Sequence, residues 1–159
     1  MKGWFEKWWP SLTWAVCISI FSTHAFTAEN TASFFIPILH WLFPKAMLAT
    51  LLEMHHYIRK TAHFVEYFIL SLLVLRSIRG GQRTTRLAWA LAAIGIVAGY
   101  ASLDEFHQRF VPGRTPAVTD VLLDTTGGIA AQAIAALVFL WGHERARQEE
   151  RREDGRVGA

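Results

Sequence analysis

Two separated polar blocks interrupt the apolar sequence of this chain, and both carry residue types that bind anions or transfer protons. The first block runs Arg59-Lys60-x-x-His63-x-x-Glu66-Tyr67 and leads directly into an apolar stretch. A charged side chain at membrane depth costs about 3 kcal/mol unless it faces a partner or a water-filled cavity. The first block therefore predicts a polar site that is buried between helices.

The second block lies further along the chain and is mainly acidic. Its members are Asp104, Glu105, Gln108, Pro112, Gly113, Arg114, Asp120 and Asp124. Pro112-Gly113 predicts a tight turn, because Pro fixes φ and Gly permits a left-handed conformation. We expect this turn to direct Arg114 toward the other polar residues.

Helical spacing arranges these residues in three stripes, since side chains three, four or seven positions apart share a face of a helix. The stripes are Arg59, His63, Glu66 and Tyr67, with Lys60 beside them; Asp104 and Gln108, with Glu105 beside them; and Asp120, Asp124, Gly128 and Gln132. We expect the three stripes to lie at similar depth and to converge on one composite site.

The composition points to a membrane protein. The chain has 159 residues, of which 52% are hydrophobic and seven are Trp, and its mean hydropathy is +0.23. A pI near 9.4 would also suit nucleic-acid binding. However, the basic residues flank apolar stretches and do not line one face of a soluble domain, so we exclude that class.

The apolar segments predict an all-α, polytopic membrane bundle of about four transmembrane helices. The predicted spans are Trp8–Ala28, about Lys60–Ile78, Leu87–Leu103 and Asp120–Trp141. The first is long and Trp-rich, which favours a retained helix over a cleaved signal peptide. Between the first two spans, Asn30–Pro44 is too short to cross and predicts a re-entrant or interfacial segment, continued by an amphipathic stretch at Met47–Ile58.

The distribution of charge predicts the domain limits and the orientation. We expect one transmembrane domain at residues 1–142 and a charged cytoplasmic tail at 143–159 that begins as a helix and is partly disordered. Eleven of the sixteen Lys and Arg lie in the N-terminus, the Gly80-Gly81 loop and this tail. The positive-inside rule then places both termini in the cytoplasm and both polar blocks on the outer side.

A purely structural role is the plainest interpretation of the polar blocks: salt bridges and hydrogen bonds that join short helices. Against it, one or two pairs would hold the helices, whereas here several cations, a His and five carboxylates are grouped at a large desolvation cost. Such grouping inside a membrane favours a site for a substrate, an ion or a proton. No metal-binding spacing is present, so we predict no metal and no cofactor.

These motifs resemble the VanZ-like family of small bacterial membrane proteins. The resemblance rests on Arg59-Lys60-x-x-His63-Phe64-x-Glu66-Tyr67, Asp104-Glu105-x-x-Gln108, Pro112-Gly113-Arg114 and Asp120-x-x-x-Asp124-x-x-Gly127, and it covers about residues 58–130. It implies a multi-helix protein of the bacterial cytoplasmic membrane and cell envelope. The family is named for a protein associated with teicoplanin resistance, which does not imply that this chain confers antibiotic resistance.

Our first functional hypothesis is lipid binding in an outward-facing polar site. The ligand would be a polar or anionic lipid-linked envelope molecule, whose phosphate or carboxylate Arg59, Lys60 and Arg114 would hold. Phe64, Tyr67 and Phe110 would contact its apolar part. The predicted ligand-binding residues are Arg59, Lys60, His63, Tyr67, Gln108, Arg114, Asp120 and Asp124.

The alternative is a membrane-embedded enzyme that acts on such a molecule. His63 would act as general base or nucleophile, oriented by Glu66 or Asp124, with Asp104 or Glu105 as the acid or as a metal ligand. A transporter is a third hypothesis, which four spans disfavour unless a homodimer forms through the glycine- and alanine-rich faces of the third and fourth spans.

Overall fold

Helices are the only regular secondary structure in the part of the chain that the structure describes. This computed structural model describes residues 2–82, 84, 86–113 and 117–157. Five α-helices follow in the order α1 (Lys2–Phe21), α2 (Ala28–Leu42), α3 (Leu48–Arg79), α4 (Leu87–Gln108) and α5 (Val118–Val157), with a single turn of 3-10 helix at His24–Phe26. The predicted all-α class is confirmed.

Three of these helices are long and apolar enough to cross a membrane: Leu48–Arg79, Leu87–Gln108 and the Val118–Gly142 part of α5. The segment before them, Gly3–Phe21 with His24–Leu42, passes the same test only as a pair that is bent by 67°. The count is therefore three, or four if this bent pair forms one span, and the predicted helical membrane bundle is confirmed.

The break between α1 and α2 corrects the predicted span Trp8–Ala28, because α1 already ends at Phe21. Thr27 begins α2 as its N-cap, and its side chain accepts a hydrogen bond from the Asn30 amide. The α2 helix has 15 residues, which is short for a separate span. It lies where the re-entrant or interfacial segment was expected.

Helix α3 is continuous over 32 residues, which corrects the predicted division between an amphipathic stretch at Met47–Ile58 and a span from Lys60. No Gly or Pro occurs between Leu48 and Arg79, so nothing in the sequence interrupts the helix. It ends at Gly80, whose φ of 57° is the left-handed C-cap conformation.

Helices α3 and α5 run in the same direction and cross closely, with α4 packed against both. Gly127 makes the crossing possible, because a Cβ atom at this position would lie 2.5 Å from the Phe64 carbonyl oxygen. Gly128 packs on Val97 of α4. The buried core contains Tyr67, Leu70, Val74, Ala93, Val97 and Ala101, together with Ile18 of α1.

Polar contacts fix the other helices against α3. The Ser11 and Ser77 hydroxyls lie 2.8 Å apart, and the Trp14 indole donates to the Glu66 carbonyl oxygen at 2.9 Å. Helix α1 therefore runs antiparallel to the C-terminal half of α3. The charged segment after residue 142 continues α5 as a helix to Val157, while the predicted domain limit at residue 142 stays a prediction.

Candidate functional site

The polar stripe of α3 passes from the exterior into the interior within two helical turns. The side chains of Lys60, His63 and Glu66 are 36%, 23% and 16% exposed, and Tyr67 is completely buried. Because α3 is a regular helix here, the predicted stripe lies on one face. This face looks toward α5.

Helix α5 presents its own predicted stripe to α3. Asp120 Oδ1 accepts a hydrogen bond from Lys60 Nζ at 2.8 Å, in an ion pair that is about one-third exposed. Further along, Gln132 Nε2 donates to Ser71 Oγ at 2.7 Å, and Ser71 Oγ donates to the Gly128 carbonyl oxygen. The stripe on α5 thus faces α3, with Asp120 at its partly exposed end and Gln132 buried in the bundle.

His63 lies between two carboxylates. Its Nδ1 atom is 3.9 Å from Glu66 Oε2 and 3.9 Å from Asp124 Oδ1. These distances exceed a direct hydrogen bond, but the opposite charges of a protonated imidazole and these carboxylates would attract strongly in this setting. Asp124 is only 1% exposed. Among the described basic side chains, His63 is the one within ion-pair distance of it.

Asp104 belongs to a different buried network, which joins α4 to α1. Its Oδ2 atom accepts hydrogen bonds from Ser22 Oγ at 2.7 Å and from Gln108 Nε2 at 3.0 Å. All three residues are at least 93% buried. A carboxylate that is held in this way anchors the C-terminal end of α1.

Glu105 secures the start of α5. Its Oε2 atom accepts a hydrogen bond from the Ala117 amide at 2.8 Å, which satisfies a donor near the helix N-terminus. Glu105 also lines a separate cavity of about 330 Å³ beside Phe106, Arg109 and Val118. The second polar block therefore splits between two sides of α4.

Three buried polar atoms have no hydrogen-bond partner in the described part of the chain and are not within reach of water at the surface. They are the Tyr67 hydroxyl, Asp124 Oδ1 and Gln132 Oε1. A buried polar group without a partner costs about 1–3 kcal/mol, and such costs concentrate at functional sites. Asp124 lies beside His63, and Tyr67 lies one turn further along α3, in the interior.

Two cavities that differ in polarity meet at the α3 stripe. The polar cavity, of about 510 Å³, is lined by Ala28, Glu29, Ala32, Leu52, His55, His56, Arg59, Lys60, His63, Gln108, Gly113, Asp120 and Leu123. The apolar cavity, of about 250 Å³, is lined by Phe21, Phe26, Thr31, Phe35, Ile58, Arg59, Ala62, His63 and Glu66. Arg59 and His63 belong to both.

The predicted site residues thus fall into three groups. The polar cavity brings together Arg59, Lys60, His63, Gln108 and Asp120, and Glu66 joins them from the apolar cavity. Tyr67, Asp104, Glu105 and Asp124 are buried and line neither of these two cavities. Arg114 lies outside the described residues.

The apolar lining differs from the one that we expected. Phe110 is 71% exposed and Phe64 stacks on Phe68, and neither lines the apolar cavity. Phe21 at the end of α1, Phe26 in the 3-10 turn and Phe35 of α2 take that position.

Sequence reasoning also missed residues from α2 and from the start of α3. His55 is buried, and its Nε2 atom lies 3.1 Å from Thr31 Oγ1. Arg59 Nη1 donates to the same hydroxyl at 3.2 Å, so Thr31 positions both side chains. His55 lies four residues before Arg59 on the same face, and this spacing is the signal that could have included it.

The described residues contain no group of three or more His, Cys, Asp or Glu side chains that is arranged to hold a metal ion. The acidic and imidazole side chains instead fall into two groups. His63 lies with Glu66 and Asp124, whereas Asp104 is hydrogen-bonded to Ser22 and Gln108.

Comparison with known proteins identifies the family. A family model described as VanZ/LLP1 matches residues 7–140, which include most of α1, all of α2 and all three polar stripes and extend beyond the motif region at 58–130. No curated protein and no solved structure matches the chain. Because the family match covers well over half of the sequence, this membrane protein belongs to the VanZ/LLP1 family.

Proposed function

We propose that this protein binds an amphipathic, lipid-linked molecule of the bacterial cell envelope, with its polar or anionic head in the polar cavity and its chain in the apolar cavity. One observation carries the proposal: Arg59 and His63 line both cavities. A ligand whose charged group lies at Arg59 would therefore extend in one direction among polar groups and in the other among Phe side chains.

The size and chemistry of the cavities support such a ligand. A volume of about 510 Å³ falls in the range of about 300–1,000 Å³ that is typical of small-molecule pockets. The Arg59 guanidinium and the Lys60 ammonium supply donors for a phosphate or carboxylate, and guanidinium binds such groups in a bidentate manner. Lys60 would exchange its partly exposed partner Asp120 for the ligand.

The test is binding of three probes to the purified protein in lipid nanodiscs, measured by native mass spectrometry. The probes are a C15 prenyl diphosphate, the matching prenyl alcohol without a charged head, and inorganic diphosphate without a chain. We expect the complete amphiphile to bind at least about tenfold more tightly than either half, because each half fills one cavity only.

Arg59→Ala should weaken binding of the prenyl diphosphate roughly 10- to 100-fold, since one hydrogen-bonded charge is lost. The matched control is Arg86→Ala, because Arg86 is exposed beside Trp89 at the other end of α4. Equal affinity of Arg59→Ala and Arg86→Ala would contradict the proposal. Arg114→Ala extends the test to the cation that motif spacing predicts for this site.

We also propose that the membrane is the bacterial cytoplasmic membrane, with both termini in the cytoplasm. The excess of Lys and Arg at the termini and in the Gly80-Gly81 loop supports this orientation. Reporter fusions at Gly81 and Gly113 should then report opposite sides. Teicoplanin susceptibility of cells that express the wild-type or Arg59→Ala chain measures the link to antibiotic resistance that the family suggests.

A further inference from the structure

The His63 ring has a buried edge that carries Nδ1, and the side chain lines both cavities. The Nδ1 atom exposes less than 1 Å², whereas the side chain as a whole is 23% exposed. The exposed surface therefore belongs to atoms of the side chain other than Nδ1. This surface lines both the polar and the apolar cavity.

The buried edge faces two carboxylates, which is the arrangement that prepares an imidazole for proton transfer. Glu66 Oε2 and Asp124 Oδ1 are each 3.9 Å from Nδ1. A carboxylate on this side favours the tautomer with the proton on Nδ1, leaves Nε2 basic, and stabilises the imidazolium that forms when Nε2 takes a proton. Catalytic hydrogen bonds are often long in the free enzyme and shorten when substrate binds.

We propose that His63 is the general base of a hydrolase that cleaves a phosphate ester or phosphoanhydride in the head of the amphipathic ligand; this inference rests on the proposed function. Nε2 accepts a proton from a water molecule as the water oxygen forms a bond to phosphorus. The P–O bond to the leaving oxygen breaks, and that oxygen takes the proton from the imidazolium. Water is the only co-reactant, and His63 is regenerated.

The neighbours of His63 favour a phosphoryl centre over an acyl centre. Arg59 and Lys60, one turn away on α3, can stabilise the negative charge on the phosphoryl oxygens during the reaction. No Ser or Cys side chain from the described part of the chain lines either cavity. The Thr31 hydroxyl, which lines the apolar cavity, accepts from Arg59 and donates to a backbone carbonyl oxygen, so its proton is not directed at a general base. Asp124 and Glu66 act on the imidazole and are positioning residues.

The experiment measures binding and turnover on the same wild-type sample in nanodiscs. The substrates are the C15 prenyl diphosphate and the C15 prenyl monophosphate in water enriched in ¹⁸O, and the product is inorganic phosphate. We expect release of phosphate that carries one ¹⁸O atom from solvent, because water attacks phosphorus.

His63→Gln should lower the rate constant of phosphate release roughly 100-fold or more, which is the usual contribution of a general base, and should change the affinity for substrate less than about threefold. It should also remove the acid limb of the pH–rate profile. Asp124→Asn and Glu66→Gln should shift that limb, which a merely structural role would not do. The matched control is His40→Gln, since His40 is exposed on α2 and should leave the rate unchanged.

The outcomes separate the two proposals. Wild-type protein that binds the prenyl diphosphate but releases no phosphate from either substrate overturns the hydrolase and leaves the binding function intact. Wild-type protein that binds neither amphiphile overturns the proposed function itself. Full activity of His63→Gln would assign the chemistry to another group and would also overturn the inference. Circular dichroism of the purified variant verifies that it folds.

Discussion

Adding one methyl group at Gly127 should loosen the crossing between α3 and α5 more than the same change at any other described glycine of α5. The new Cβ atom would lie 2.5 Å from the Phe64 carbonyl oxygen, whereas ordinary contact begins at 3.4 Å. The two helices must therefore separate by about 0.9 Å, because a backbone oxygen inside a helix cannot rotate away.

The expected loss in the free energy of unfolding is about 2 kcal/mol. Overpacking of this kind costs about 1–3 kcal/mol, and contact with backbone places Gly127→Ala at the upper end. Replacing Gly by Ala inside a helix returns about 1 kcal/mol. Gly128→Ala should cost less, since its closest contact, at 2.9 Å, is the methyl end of Val97.

Gly142→Ala is the matched control, because nothing lies within 4 Å of its added Cβ atom. The assay is reversible unfolding in mixed micelles with increasing sodium dodecyl sulfate, followed by Trp fluorescence. The expected order of stability is Gly127→Ala below Gly128→Ala, with Gly142→Ala at or above wild type. A Gly127→Ala protein as stable as Gly142→Ala would refute the close crossing.

The same displacement should reach the candidate site. Phe64 follows His63 directly, and Gly127 lies three residues after Asp124, so a separation of about 0.9 Å changes the 3.9 Å spacing between His63 and Asp124. Errors of about 1 Å in position cost roughly 100-fold in rate. For the proposed hydrolase, loss of phosphate release should therefore accompany loss of stability in Gly127→Ala.

Two further predictions concern the other helices. Ser22→Ala should destabilise the protein by about 1–3 kcal/mol in the same unfolding assay, because Asp104 loses its 2.7 Å donor. Ser33→Ala should be neutral, because the Ser33 hydroxyl donates within α2. Equal stability of the two variants would contradict the anchoring role of Ser22. We also predict a homodimer through the small-residue face of α4, where nothing lies within 4 Å of a Cβ added at Gly95 or Gly99. Gly99→Cys in a Cys17→Ser background should cross-link in membranes. Ala93→Cys should not, because position 93 is fully buried. A Gly99→Cys chain that stays monomeric would exclude this dimer.

Local periodicity was sufficient to predict the stripes on α3 and α5. Spacing alone placed His63 and Glu66 on one face and Asp120 and Asp124 on another, and the structure brings His63 and Asp124 within 3.9 Å. This works because regular helices fix the direction of each side chain, so two well-defined stripes have few ways to meet.

Long-range pairing explains what the sequence did not reveal. Ser22 is an ordinary hydroxyl in an apolar run, and only its contact with Asp104, 82 positions later, gives it a role. Thr31 gains its importance in the same way from Arg59. The break after Phe21 was predictable, since Thr27 followed by Asn30 is an N-cap signal, but the apolar character of the segment outweighed that signal.

The length of α3 sets the conditions under which any ligand reaches the site. Its 32 residues extend about 48 Å at 1.5 Å per residue, whereas the hydrocarbon core is about 30 Å thick. With the apolar C-terminal part of α3 in that core, the first turns, including His55 and Arg59, extend to the headgroup region. The proposed amphipathic ligand would then enter sideways from the bilayer without crossing water, so its occupancy would depend on its mole fraction in the leaflet that it enters from and not on its concentration in solution.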